Sequence, residues 1–331
     1  MIYNGLAEIA DNFELFLFDA YGVFWEGSGF YAGSVEMMRS LVKQGKTVAV
    51  ISNSTQMHEK LIASYGRRGI SLGTDYNYLY SSGDLLRHHL SKGDIEFKKN
   101  QSPRKYFVIG QPHDEAFAET KYVQVAQMQE ADFVYCGVPF LREVDILRYP
   151  QYKDLYWPVK NRESGGGEVW DTQTEKPFAE IVDRAVEAGL PVLNANPDFT
   201  AKEGHPLVPD SAAVFVVRNG TLAEMFRQRG AEVLEYGKPH TNMYDYTFAM
   251  LQNSGLKINK DKTCMIGDTV RTDIKGAVNA GIVPILCVET GVTAEEISRG
   301  KTVKSLCTEQ NIDVKQIIQI KSVGGMTANG V

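Results

Sequence analysis

The chain has 331 residues, more than one ordinary domain needs and enough for two with sizeable cores. Hydrophobic residues make up 43 % and charged residues 23 %, the balance of a soluble globular protein. The formal net charge of −6, with no Lys/Arg block, argues against a nucleic-acid partner, because counterion release needs a basic face.

In chain order, apolar runs at 15–18 and 47–52 read as strands, with an amphipathic helix at 35–43 between them. Residues 92–105 (KGDIEFKKNQSPRK) are polar and basic and read as a linker or exposed hairpin. Strands follow at 107–110 and 133–137, then a segment at 148–176 that reads as an insertion, with Pro150, Pro158 and a glycine triplet at 165–167. A helix at 178–188 and strands at 192–194 and 233–236 come next. The helix at 244–253, strand at 264–267, helix at 273–280 and strand at 283–288 complete the pattern. From about residue 300 the pattern weakens, and the closing SVGGMTANGV reads as a frayed tail. Apolar strands alternating with helices imply a parallel α/β sheet, and their unbroken apolar character implies helices on both faces.

Cys136, Cys264, Cys287 and Cys307 lie far apart with no CxxC pair, so buried reduced thiols are expected rather than disulfides or zinc. Residues 1–13 lack the basic start and apolar centre of a signal peptide. No apolar run approaches the roughly 18 residues of a spanning helix. A cytoplasmic protein with no membrane association is expected; the oligomeric state stays open, a homo-oligomer included.

Four strand ends carry candidate chemistry. In LFLFDAYGVFWEG (15–27) an apolar strand runs into Asp19, and Gly22 lets the chain turn away. Ligands of open α/β sheets sit at the carboxyl ends of strands, although an aspartate there also serves as a helix cap. VAVISNST (48–55) ends in Ser52 and Asn53, where a hydroxyl and backbone N–H groups can hold a phosphate oxygen or cap a helix. EYGKPH (235–240) sets Lys238 just past a strand, where it can neutralise a phosphoryl group or simply meet solvent. In CMIGDTVRTDIKGA (264–277), Asp268 ends a strand and Asp273 follows five residues later, so a loop can bring both carboxylates to one point. Mg²⁺ is a hard ion that commonly uses one or two carboxylates.

Taken together, the four motifs resemble the haloacid dehalogenase superfamily: Asp19-Ala-Tyr21-Gly-Val23, Ser52-Asn53, Lys238-Pro239 and Gly267-Asp268 with Asp273. The long stretch between the second and third motifs, with Asn196-Pro197-Asp198 near its end, is similar to the NagD-type sugar and nucleotide phosphatases. This resemblance implies that Asp19 attacks phosphorus and forms an aspartyl-phosphate. It implies that Ser52 and the Asn53 amide hold the phosphoryl oxygens, and that Lys238 screens the charge between phosphate and Asp19. Asp19, Asp268 and the backbone carbonyl of Tyr21 would bind Mg²⁺, with Asp273 in support; Asn196 and Asp198 are candidates for substrate contact, an Asn-Pro turn being the plain alternative. The implied fold is a doubly wound parallel Rossmann-like core, residues 1–91 and 199–331, with an inserted α/β cap at 92–198 that closes over a small phosphorylated substrate.

The sequence departs from the superfamily's phosphatases at Tyr21, which stands where they carry an acid–base aspartate. A tyrosine, with a reference pKa near 10, can donate a proton but is a poor base at neutral pH. Positioned acid–base catalysis typically gives about 10²–10⁴-fold, so turnover is expected to be slow, above all for alkyl phosphates. Two other readings stay open. One is a phospho-ligand-binding protein without turnover. The other is a metal-independent haloacid dehalogenase, which Asp19-Ala-Tyr21-Gly also resembles, although clustered Asp268 and Asp273 would repel each other without a cation.

Weaker candidates stand beside these. His88-His89 point in different directions on a helix, so a metal site there is not expected. Gly27, Gly29 and Gly33 read as a turn after Asp19 rather than a phosphate loop, and the glycine triplet lacks a strand-to-helix context. Phe24, Trp25, Phe30 and Tyr31 read as packing under a flap, or as lining a substrate entrance.

Overall fold

The structure is a computed structural model that describes residues 1–27, 29–110, 114–139, 172–203 and 214–325. The predicted insertion at 148–176, with its glycine triplet, lies almost entirely outside the described residues.

The chain builds two parallel sheets. The larger takes β1 (Ile2–Tyr3), β2 (Leu15–Phe18), β3 (Thr47–Ser52), β4 (Tyr78–Ser81), β12 (Thr263–Gly267), β13 (Val283–Cys287) and β14 (Ile318–Ile320), in the spatial order β1-β14-β13-β12-β2-β3-β4. The smaller takes β5 (Lys105–Ile109), β6 (Val123–Gln124), β7 (Phe133–Cys136), β8 (Val192–Asn194) and β11 (Val233–Glu235), in the order β11-β8-β7-β5-β6. All neighbours within both sheets pair parallel. An antiparallel pair, β9 (Thr200–Glu203) and β10 (Val214–Val217), stands apart.

The strands alternate their side chains between two apolar layers, as the two-residue strand period requires. Phe16, Phe18, Val48 and Val50 pack on one face, with Met38 and Leu41 of helix α1 (Ser34–Lys43). Leu15, Leu17, Ala49 and Ile51 pack on the other. That second layer runs without a break into the smaller sheet through Leu86, Phe97, Tyr106, Tyr135 and Leu193. Helix α2 (His58–Arg67) buries Leu61 and Tyr65. Helix α3 (Ser82–Lys92) starts at a capping box, in which the Ser81 side chain and Asp84 satisfy each other's free backbone N–H groups.

Three expectations need correction. First, part of the stretch assigned to the core from the sequence returns to the smaller sheet: β11 pairs with β8. With α4 (Thr172–Glu187), α5 (Asn219–Gln228) packs against that sheet, Phe178, Leu222 and Phe226 sharing a cluster with Val134 and Val192. The smaller lobe therefore ends near residue 235 rather than at 198. Second, 92–105 is anchored in part: Ile95, Phe97 and Pro103 are buried, while Lys92, Asp94, Glu96, Lys98, Lys99 and most of the other residues stay exposed. Third, the tail is not frayed up to residue 325. β14 lies between β1 and β13, Val323 is buried, and its carbonyl accepts from Leu6 N at 3.2 Å.

Among the described residues the remaining α-helices are α6 (Thr241–Asn253), α7 (Lys275–Ala280), α8 (Gly291–Ser298) and α9 (Val303–Glu309). All four cysteines are free and buried. Among the described residues no helix is long and apolar enough to cross a membrane.

Candidate active site

Neighbouring parallel strands place their carboxyl ends side by side, so β2, β3 and β12 bring Asp19, Ser52 and Asp268 to one edge of the sheet. Lys238, just after β11, is only 1 % exposed, and its ammonium bridges two carboxylates: Asp19 Oδ1 at 2.6 Å and Asp273 Oδ1 at 2.8 Å. Burial works against that charge, but Asp19, Asp273 and Asp198 around it hold its pKa well above the usual lysine value. Lys238 is thus a fixed cation, not a solvated surface lysine.

The acidic groups outnumber it. Asp19, Asp268 and Asp273 each bring a carboxylate oxygen within 4.8 Å of the others. Burial, the Asp273 and Asp198 charges, all opposed by Lys238, leave the Asp19 carboxyl pushed up to about 7. Burial, with Asp273 and Asp19, raises Asp268 well above the carboxylate range. Protein groups alone do not neutralise this cluster, and a hard divalent cation fits it by charge and by donor type.

The local chain is shaped to hold Asp268 in place. Its Oδ2 accepts from Val292 N at 2.6 Å, at the start of α8. Gly22 (φ +80°) and Gly291 (φ +62°) flank it, and a Cβ on either would run into the Asp268 carboxylate. The Thr290 hydroxyl ties these loops together by donating to Gly22 O at 2.6 Å. Asp273 faces inward as well, its Oδ2 accepting from Asp268 N at 3.2 Å and Thr269 N at 3.1 Å.

Asn53 takes a part the sequence did not suggest. Its Oδ1 accepts from Lys238 N at 2.7 Å, while its Nδ2 donates to Lys238 O and to Asp198 Oδ1, both at 2.9 Å. One amide therefore fixes the lysine backbone and the loop from the smaller lobe. Ser52 Oγ accepts from Ser54 N at 3.1 Å. Asn196 builds the turn, its Oδ1 accepting from Asp198 N at 3.0 Å, whereas Asp198 itself reaches the cleft.

A cleft is lined by Asp19, Tyr21, Asp198, Thr200, Asp268 and Thr272, among others. Phe24 and Trp25 are buried beneath it in the apolar layer, with Phe30 edge-on to Trp25 at 4.9 Å, so these aromatics pack rather than line the opening. Tyr31 is different: its hydroxyl accepts from Gly291 N at 3.3 Å.

Sequence reasoning missed Gly291, Thr290 and Arg271. The Arg271 guanidinium lies 3.1 Å from the Phe199 ring centroid and donates to Pro197 O at 3.2 Å, latching the smaller lobe's loop to the core. A Thr-Gly pair just past strand β13 was the available signal for the first two. A second cluster, His58, Glu59 and Asp84, also has the composition of a metal site, but the two Asp84 oxygens are already used by Ser81, His58 and the helix start. His89 pairs with Asp94 at 3.0 Å and stacks on Tyr236.

Two family profiles match the chain: haloacid dehalogenase-like hydrolase over residues 16–124 and HAD-hydrolase-like over 235–306. The 4-nitrophenylphosphatase of Schizosaccharomyces pombe is 26 % identical over 292 residues, spanning 87 % of this chain and 88 % of that protein. A haloacid dehalogenase-like hydrolase from Brucella suis 1330 superposes with a TM-score of 0.70 at 22 % identity, covering 98 % of this chain and 99 % of the other. The strand-end motifs, the parallel core and these matches define the class, and the chain belongs to the haloacid dehalogenase-like hydrolases. Within that class its fold is the NagD type: NagD from E. coli K-12 superposes over 96 % of this chain and 99 % of its own, with a TM-score of 0.55 at 16 % identity.

Proposed function

We propose that this chain is a magnesium-dependent phosphatase of small phosphorylated metabolites, acting in the cytoplasm, with Asp19 as its nucleophile. The observation that carries the reading is the Lys238 ammonium, buried and 2.6 Å from Asp19, beside the cluster of Asp19, Asp268 and Asp273. Phosphoryl transfer is mostly positioning and charge stabilisation, and this site concentrates both. The similarity to a 4-nitrophenylphosphatase across most of both chains supports the same chemistry.

Asp19, Asp268 and the Tyr21 carbonyl would hold Mg²⁺, with Asp273 anchoring Lys238 and the Asp268 loop. The ion supplies charge neutralisation at the transferring phosphoryl group when bound. Asp19 Oδ attacks phosphorus, giving an aspartyl-phosphate that water then hydrolyses. Lys238 favours the ionised form of Asp19 against burial and offers its charge to the phosphoryl oxygens, which Ser52 and the Asn53 amide complete.

The test is a panel of phosphate esters assayed with Mg²⁺ and with EDTA, with 2-haloacids beside them. Phosphate release that requires Mg²⁺ is expected. Binding of esters without release would make the chain a phospho-ligand-binding protein, and halide release in EDTA would make it a dehalogenase.

A further inference from the structure

Hydrolysis of a phosphate ester moves a proton twice, to the leaving oxygen and then from the attacking water. The groups lining the cleft narrow the choice of carrier. Asp19 is engaged in attack, Asp268 is enclosed by Gly22, Gly291 and the Val292 amide, and Asp273 is bound to Lys238 and two backbone N–H groups. Tyr21 lines the cleft but as a phenol is a poor base at neutral pH.

Asp198 meets the requirements. It stands on the cleft beside Asp19 and Tyr21. Its Oδ1 is fixed by Asn53 Nδ2 at 2.9 Å, and its N–H is fixed by Asn196 Oδ1, so the carboxyl is positioned from two sides. Its other oxygen has no hydrogen-bond partner among the described residues. Among the described residues it forms no ion pair: Lys238 bonds Asp19 and Asp273, and Arg271 donates to Pro197 O while stacking on Phe199.

We propose that Asp198, reaching in from the smaller lobe, is the catalytic acid–base of this site. The proposal rests on the phosphatase reading. As Asp19 Oδ bonds to phosphorus, the P–O bond to the leaving group breaks and its electron pair stays on that oxygen. The Asp198 carboxyl gives its proton there, releasing an alcohol. The Asp198 carboxylate then takes a proton from water as the water oxygen bonds to phosphorus. The P–O bond to Asp19 breaks, its electron pair returns to Asp19, and phosphate departs with Asp198 protonated again. Burial first, and the Asp273 charge, favour the protonated form; Lys238, the Asn53 hydrogen bond and Arg271 oppose them, and the balance raises the Asp198 pKa above the ordinary aspartate value. Asp19 also feels this charge.

The experiment compares wild type, Asp198→Asn, Asp198→Glu and Tyr21→Phe on one alkyl and one aryl phosphate across pH, with Mg²⁺ present and folding checked by thermal melts. Asp198→Asn keeps an oxygen for Asn53 but cannot carry the proton. It should lose about 10²–10⁴-fold in kcat on the alkyl ester, whose leaving group needs protonation, and much less on formation of the phosphoenzyme from the aryl ester. The alkaline limb of its alkyl-ester pH profile should disappear, and Asp198→Glu should restore part of the rate. Tyr21→Phe should keep the wild-type ratio between the esters. A uniform loss on both steps in Asp198→Asn with an unchanged pH profile, or a selective alkyl loss in Tyr21→Phe, would overturn the proposal. A wild type inert on every ester removes the phosphatase reading itself, a result distinct from either.

Discussion

Asp268 shows how closely this site is fitted at the scale of one residue. Two glycines with positive φ approach its carboxylate from opposite loops, and the Val292 amide fixes one oxygen. A methyl group on Gly291 must displace the carboxylate or the loop, and alanine is also strained at φ +62°. Gly291→Ala should therefore weaken Mg²⁺ binding by about 10–100-fold, the range typical of disturbed supporting groups. Asp268→Asn removes a ligand charge directly and should weaken it at least as much. Titration calorimetry reads both, and wild-type affinity in either variant would remove Asp268 from the metal site. Asp19 and Asp268 were legible as sequence, because each closes an apolar run. Gly291 was not, since its importance comes from a neighbour 23 positions earlier in the chain, Asp268.

Among the elements, long buried strands announced themselves and short ones did not. β2 is apolar throughout and β3 from Val48 to Ile51, and their predicted bounds match the structure. β4 is four residues, Tyr78–Ser81, running directly into α3 with no turn between; the Ser81-to-Asp84 capping spacing was the one available mark. β14 is three residues that become a strand by fitting between β1 and β13, a reason invisible in local pattern. The segment after β14 has a structural task, because Val323 is 1 % exposed within the layer holding Phe13, Phe16 and Ile320. Val323→Ala should cost about 1.5–3 kcal/mol, the worth of burying such a side chain, with little change in Mg²⁺ affinity. Denaturant unfolding measures this, and a cost near zero would mean that the tail is not part of the folded unit.

Across the whole molecule, the two lobes are joined by more than the chain connection. One apolar layer runs from the larger sheet to the smaller. Asn53 ties Asp198 to Lys238, and Arg271 latches Pro197 and Phe199. This explains why the lobe boundary was misread. Asp198 lines the cleft while Asn196 shapes the turn before it, and the chain then re-enters the smaller lobe for α5 and β11 before delivering Lys238. The smaller lobe thereby places Asp198 and Lys238 on either side of one core amide, so both depend on how the lobes meet. The claim on which everything else depends is that Asp19 becomes phosphorylated. Wild type mixed with a radiolabelled aryl phosphate and Mg²⁺, quenched in acid within the first turnover and digested, reads this directly. The label should map to the peptide carrying Asp19, require Mg²⁺ and be absent from Asp19→Asn. Metal-dependent phosphate release with no label at Asp19, or release that survives Asp19→Asn, would contradict the account.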